Sequence, residues 1–196
     1  MKTRERILAA ALSLFNENGT GAVSTNHIAQ AAGMSPGNLY YHFPNKDAII
    51  RALLEQLAAA SGEFFALPAG RPPTLADLQA LVRGNFRLLW EYRFWYRELV
   101  ALLRRDAELR QRWLEIRPQQ YAGFPELMAA FVTAGVMRPP DDPAVVARLA
   151  DLCWLISEFW LASLEVGGQT VDAAQMERGV TLMLQVLDPY VIAPRP

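Results

Sequence analysis

Apolar residues in this chain recur every three to four positions, beginning with Ile7, Leu8, Ala11, Leu12, Leu14 and Phe15, the interval that gathers them on one face of a helix. No stretch shows the β-branched, period-two alternation of a half-buried strand, so an all-α fold is expected. Gly and Pro clusters punctuate the pattern. The first helix should end near "NENG", with Gly19 suited to a left-handed cap, and Ser24 or Thr25 should cap a second helix running to Gly33. Ser35-Pro36 opens a third helix that stops before Pro44. Asn45 caps a longer fourth, with Asp47 in its first turn, where a carboxylate suits the helix dipole. Beyond the linker Pro68 to Pro73, Thr74 and Asp77 open a further helix, and Pro118 and Pro125 are expected to break the pattern between Trp113 and Phe131. Two long helices, Ala144 to Val166 and Asp172 to Leu187, close the sequence. Short helices at the N-terminus and long ones at the C-terminus imply two parts of unequal size.

Composition narrows the partners little. Nineteen basic against twenty acidic residues leave a net charge of -1 over 196 residues, so the whole chain carries no electrostatic footprint for nucleic acid or anionic lipid. The single cysteine, Cys153, can form neither an internal disulfide nor a multi-cysteine metal site, which fits a reduced, cytoplasmic core thiol. "MKTRER" before "ILAAALSLF" imitates a secretory signal, yet Glu5 interrupts the basic stretch, no small-residue cleavage site follows, and the apolar positions keep helical spacing. No apolar run approaches the roughly 18 residues of a membrane span. A protein without membrane association is therefore expected.

The segment "TNHIAQAAGMSPGNLYYHF" carries the most information. Ile28, Ala29 and Ala32 form the inner face of one short helix, Gly33 makes the turn, and Met34 and Leu39 pack from the other side, which is the layout of a helix-turn-helix. If Leu39 points inward, most of Gly37, Asn38, Tyr40, Tyr41 and His42 must be displayed, since one buried face spans little more than about 100°. Such a face suits the major groove: Asn38 can bond an adenine edge, the tyrosines can touch thymine methyls or phosphate, and Gly37 permits close approach. Ser35 and Pro36 start this helix, while His42 and Lys46 are placed toward the DNA backbone. Thr25 and Asn26 could reach phosphate or base from the preceding helix, aided by its free N–H groups. One of Tyr40 and Tyr41 could instead be a partly buried core aromatic.

At these residues the chain resembles the TetR family of bacterial transcriptional regulators, through "RILAAALSLFNENG" and "STNHIAQAAGMSPGNLYYHFPNKDAI". The resemblance implies a helix-turn-helix DNA-binding domain over residues 1–47, a connecting helix from Asn45, and a ligand-binding and dimerisation domain over 48–196. It further implies double-stranded DNA, a small-molecule effector and a second copy of the chain as partners. Many members of the family carry long basic side chains near Asn26 and Pro36, where this sequence has shorter groups. Residues 1–47 hold Lys2, Arg4, Arg6 and Lys46 against Glu5, Glu17 and Asp47, a net of one positive charge by subtraction, so modest non-specific affinity is expected.

For a partly apolar effector the candidates are Trp95, Glu98, Trp113, Tyr121, Phe124, Trp154 and Glu158, on the expectation that Pro118 and Pro125 splay the packing. The two carboxylates could equally be solvated or paired with Arg93, Arg97 or Arg104. The apolar face of the helix from Ala144 is too wide for one wet side, which suggests burial against a second chain through Leu149, Leu152, Ile156, Trp160, Met183 and Leu187. No metal or cofactor is expected. The function so implied is a repressor released from a palindromic operator by a small molecule. The rivals are a helical carrier and an enzyme without operator binding, the enzyme disfavoured because His27 and His42 are the only histidines and no nucleophile-base set is evident.

Overall fold

The structure, a computed structural model, describes residues 2–64 and 67–192. The described residues form nine α-helices and no strand: α1 Thr3–Ala22, α2 Thr25–Ala31, α3 Pro36–His42, α4 Lys46–Phe64, α5 Leu75–Glu91, α6 Arg93–Arg105, α7 Ala107–Thr133, α8 Ala144–Val166 and α9 Ala173–Leu187. The caps explain the boundaries. Ser24 Oγ accepts from His27 N–H and Ser35 Oγ from Asn38 N–H, both at 3.2 Å, and Asn45 Oδ1 accepts from Ala48 N–H at 2.8 Å, each quieting an orphan donor. Thr74 and Asp77 form a reciprocal capping box at the start of α5. Arg71 grips the same carboxylate at 2.6 and 2.7 Å. These bonds hold the Asp77 carboxyl well below the usual range.

Two local expectations change. Gly19, at φ 74° and ψ 159°, interrupts α1 as anticipated, yet one more helical turn follows to Ala22. Pro118 and Pro125 do not break the chain, because α7 runs through both. An interior proline costs about 3 kcal/mol or more, but Leu109, Trp113 and Ile116 before the prolines and Met128 and Phe131 after them are buried. Two such anchors outweigh the local penalty.

Helices α1 to α3 form a small head, and α4 leads from it into a body of α5 to α9. One apolar core runs through both parts, with Phe15 of the head meeting Phe94 of the body at 5.4 Å between ring centroids. The most extensive packing within the body is α5 against α9 and α6 against α8. Gly179 lets α9 lie close on α5, since a Cβ there would overlap Phe86 and approach Trp160 Nε1 to 2.8 Å. An isolated bridge between Met137 and Val191 fastens the end of the described chain over the loop after α7.

Candidate nucleic-acid interface and effector cavity

In the head, α2 and α3 are held by small, fully buried residues. Ile28 and Ala29 of α2 and Leu39 of α3 are 0% exposed, and Gly33 turns the chain at φ 63°, a conformation that favours glycine. Arg6 reaches across to donate to Ala32 O at 2.5 Å, occupying the carbonyl end of α2. Around Leu39 the face is open: Ser35, Pro36, Gly37, Asn38, Tyr40 and Tyr41 are exposed and His42 half-buried. Tyr41 is 84% exposed and rests edge-on against the His42 ring at 5.2 Å. Tyr40 OH shares a hydrogen bond with Thr25 Oγ1 at 2.9 Å, tying the exposed tips of α2 and α3 together. Asn26 stands exposed beside them.

Head and body are joined by polar contacts at the Gly19 bend. Glu98 of α6 accepts from Thr20 N–H at 2.8 Å and Thr20 Oγ1 at 2.5 Å. Asn16 donates through Nδ2 to Glu91 O at 2.7 Å and accepts from Phe94 N–H at 3.0 Å, so a residue of α1 satisfies both sides of the α5–α6 corner. On α4, Asp47, Arg51 and Glu55 lie one helical turn apart on a single stripe. They pair respectively with Arg105 at 3.0 Å, with Asp106 and Glu108 at 3.1 and 2.7 Å, and with Arg112 at 2.7 Å.

The body encloses a cavity of about 400 Å³ between α4, α5, α7, α8 and α9. Its apolar wall includes Leu78, Val82, Ile116, Phe124, Leu127, Phe131 and Trp154, and its polar groups are Ser61, Asn85, Arg112, Gln119, Cys153 and Ser157. Burial pushes the Cys153 thiol up to about 12, so it lines the wall as a neutral group. Arg112 sits at the end of the α4 stripe, with its guanidinium on Glu55 and on Glu115 at 3.2 Å.

A profile described as "Bacterial regulatory proteins, tetR family" matches residues 7–53, and one described as "TetR: Bacterial transcriptional repressor" matches 56–195. The chain belongs to the TetR family. A TetR-family regulator from Marinobacter aquaeolei superposes with a TM-score of 0.86 at 33% identity, over 98% of this chain and 93% of that one. The transcriptional repressor KstR2 of Rhodococcus jostii is 28% identical over 187 residues, 86% of this chain and 83% of that protein. The transcriptional regulator UidR of Escherichia coli is 46% identical over 54 residues, so the match spans only 28% of the length of either protein.

Within this TetR fold, the residues expected at DNA are exposed apart from half-buried Thr25 and His42 and from Lys46, whose ammonium donates to Thr20 O at 2.5 Å and Val23 O at 2.9 Å. The unpaired carbonyls at the end of α1 attract that cation inward. Of the expected effector residues, Phe124 and Trp154 line the cavity, while the Tyr121 side chain lies outside the described ones. Trp95 and Trp113 instead pack on each other in the core, 5.3 Å between centroids. Glu98 is taken by Thr20, and Glu158, 3% exposed, is held by Arg117 at 2.7 and 3.1 Å. Neither carboxylate pairs with Arg93, Arg97 or Arg104 among the described contacts. A carboxylate on a mostly apolar helix needs such compensation, and the sequence does not say from where it comes.

The residues expected at a dimer face divide between buried and exposed positions. Leu149, Trp160, Met183 and Leu187 are buried in the chain's own body and Ile156 is half-buried, whereas Leu152, Leu155, Phe159 and Leu182 are exposed. Positions 152, 155 and 159 lie on one face of α8. Asn85, Ser157, Gln119 and Arg112 were missed at the cavity. The sequence signal for Asn85 and Ser157 was weak, since "LVRGNFRLL" also holds Arg83 and Arg87 and "LCWLISEFW" also holds Glu158.

Proposed function

We propose that this protein is a homodimeric, effector-responsive transcriptional repressor acting in the cytoplasm on a palindromic DNA operator. Residues 1–47 serve as the DNA-binding head and 48–196 as the effector-binding and dimerisation part. The observation that carries this is the polar, open face of α3 around fully buried Leu39. A helix with one anchoring residue and a slim exposed edge fits the major groove. Asn38 reads a base edge, Tyr41 and Gly37 lie against the groove, and Thr25, Asn26, Tyr40 and His42 meet the backbone.

A second copy packs on Leu152, Leu155, Phe159 and Leu182, placing two heads about one turn of DNA, roughly 34 Å, apart. A molecule filling the cavity presses on α4 through Ala58, Ser61 and Gly62 and on α7 through Arg112. The ion-paired stripe and the Glu98–Thr20 contact carry that displacement to the head. Effector acts only through differential affinity for the two conformers, and a nearly complete switch requires about 5.5 kcal/mol. Family membership argues against an enzyme, as does the protonated state of the cavity's one thiol.

Selection of bound genomic fragments, followed by a screen for compounds that release them, tests this directly. Recovery of a two-fold symmetric site and of a releasing compound is expected. Failure to enrich any palindrome would leave the helical-carrier alternative standing.

A further inference from the structure

We propose that the cavity takes an uncharged, chiefly apolar effector bearing a hydroxyl group, and that Asn85 Oδ1 is the acceptor for that hydroxyl. The inference rests on the cavity being the effector site. It follows from which of the polar groups on the wall that are not exposed, Ser61, Asn85, Cys153 and Ser157, are already spent.

Ser157 Oγ donates to Cys153 O at 2.9 Å, using its only proton. It can then only accept from Asn85, whose Nδ2 lies 2.9 Å away. The amide orientation is thereby fixed, with NH₂ toward Ser157 and Oδ1 left over. Among the described residues nothing donates to Oδ1, on a side chain that lines the cavity between the apolar groups of α5, α7 and α8. Ser61 is spent in the same way, donating to Leu57 O at 2.8 Å. A half-buried acceptor on the cavity wall with no protein donor favours a ligand that supplies one.

Charge is excluded by the same accounting. Arg112 is the one ionic side chain among the described lining residues, and two carboxylates hold it, Glu55 by two bonds of 2.7 and 2.9 Å and Glu115 at 3.2 Å. An anionic effector would meet a guanidinium already neutralised by two carboxylates, and a cationic one would meet a wall with no acid among its described residues. Either would forfeit hydration in an apolar enclosure.

The test uses full-length protein without DNA and three probes of one shape: 4-hydroxybiphenyl, 4-methylbiphenyl and biphenyl-4-carboxylate, titrated by tryptophan fluorescence at neutral pH. The hydroxyl probe should bind about five-fold more tightly than the methyl probe, the central value for one net hydrogen bond. The carboxylate should bind at least ten-fold more weakly than the hydroxyl probe. Asn85→Leu should bring the hydroxyl and methyl probes within about two-fold of each other, since the paired acceptor is gone. Equal binding of hydroxyl and methyl probes, binding of the carboxylate as tight as that of the hydroxyl, unchanged selectivity in N85L, or no binding of any probe would each overturn the inference. If N85L does not fold, the wild-type ranking decides alone. Release of DNA is measured separately, so selective binding without release would count against the repressor function and not against the ligand class.

Discussion

Glu98→Ala removes the side chain that ties Thr20, next to the Gly19 bend of the head, to α6. Thr20 is 1% exposed, and its N–H and hydroxyl both donate to Glu98, at 2.8 and 2.5 Å. Truncation strands a buried backbone donor, which costs about 1–3 kcal/mol. For a chain of this size each kcal/mol moves the midpoint by roughly 2–4 °C, so Tm should fall by about 2–12 °C, with ~5 °C central. Glu98→Gln keeps one acceptor oxygen and should lose about half as much. Because the contact crosses from body to head, E98A should also blunt the response: operator affinity stays near wild type while effector must reach a higher concentration to release DNA. Thermal unfolding gives the first quantity and fluorescence anisotropy on labelled operator gives the second. An unchanged Tm together with an unchanged release curve would show that Glu98 neither supports Thr20 nor couples the two parts.

Gly37→Ala separates folding from recognition, because a Cβ at Gly37 meets nothing within 4 Å. Stability should rise by about 0.4–1 kcal/mol, while operator affinity falls if this edge lies against DNA, and both follow from parallel melting and anisotropy. Gly179→Ala should do the reverse: its Cβ overlaps buried Phe86, so overpacking should cost about 1–3 kcal/mol in a denaturant melt. Cys153, protonated up to about 12, should resist iodoacetamide at pH 8 in the native protein and react once unfolded. In the unfolded chain its pKa returns to about 8.5, so rapid native-state alkylation would contradict the buried, neutral thiol.

Legibility in the sequence followed the range of the forces involved. The caps at Ser24, Ser35, Asn45 and Thr74 are local bonds within three residues, so spacing and residue type revealed them. The head was readable for the same reason, since Leu39, Gly33 and the displayed tips are set by two short helices. Lys46 escaped because its partners, Thr20 O and Val23 O, lie more than twenty positions away. The prolines of α7 misled because burial on both flanks, from Trp113 to Phe131, overrides a local penalty. Helical aromatic spacing marks Trp95, Trp113 and Trp154 alike, and only the packing of α6 on α7 and α8 assigns the first two to the core and the third to the cavity wall.

The most direct measurement is a footprint of wild type and Asn38→Ala on the selected operator, repeated with each base pair of a half-site changed. Wild type should protect two half-sites about one turn apart, and N38A should lose about 1–3 kcal/mol of binding with relaxed preference at one position in each half-site. An N38A footprint that matches wild type at every position would contradict the assignment of α3 as the element that reads DNA.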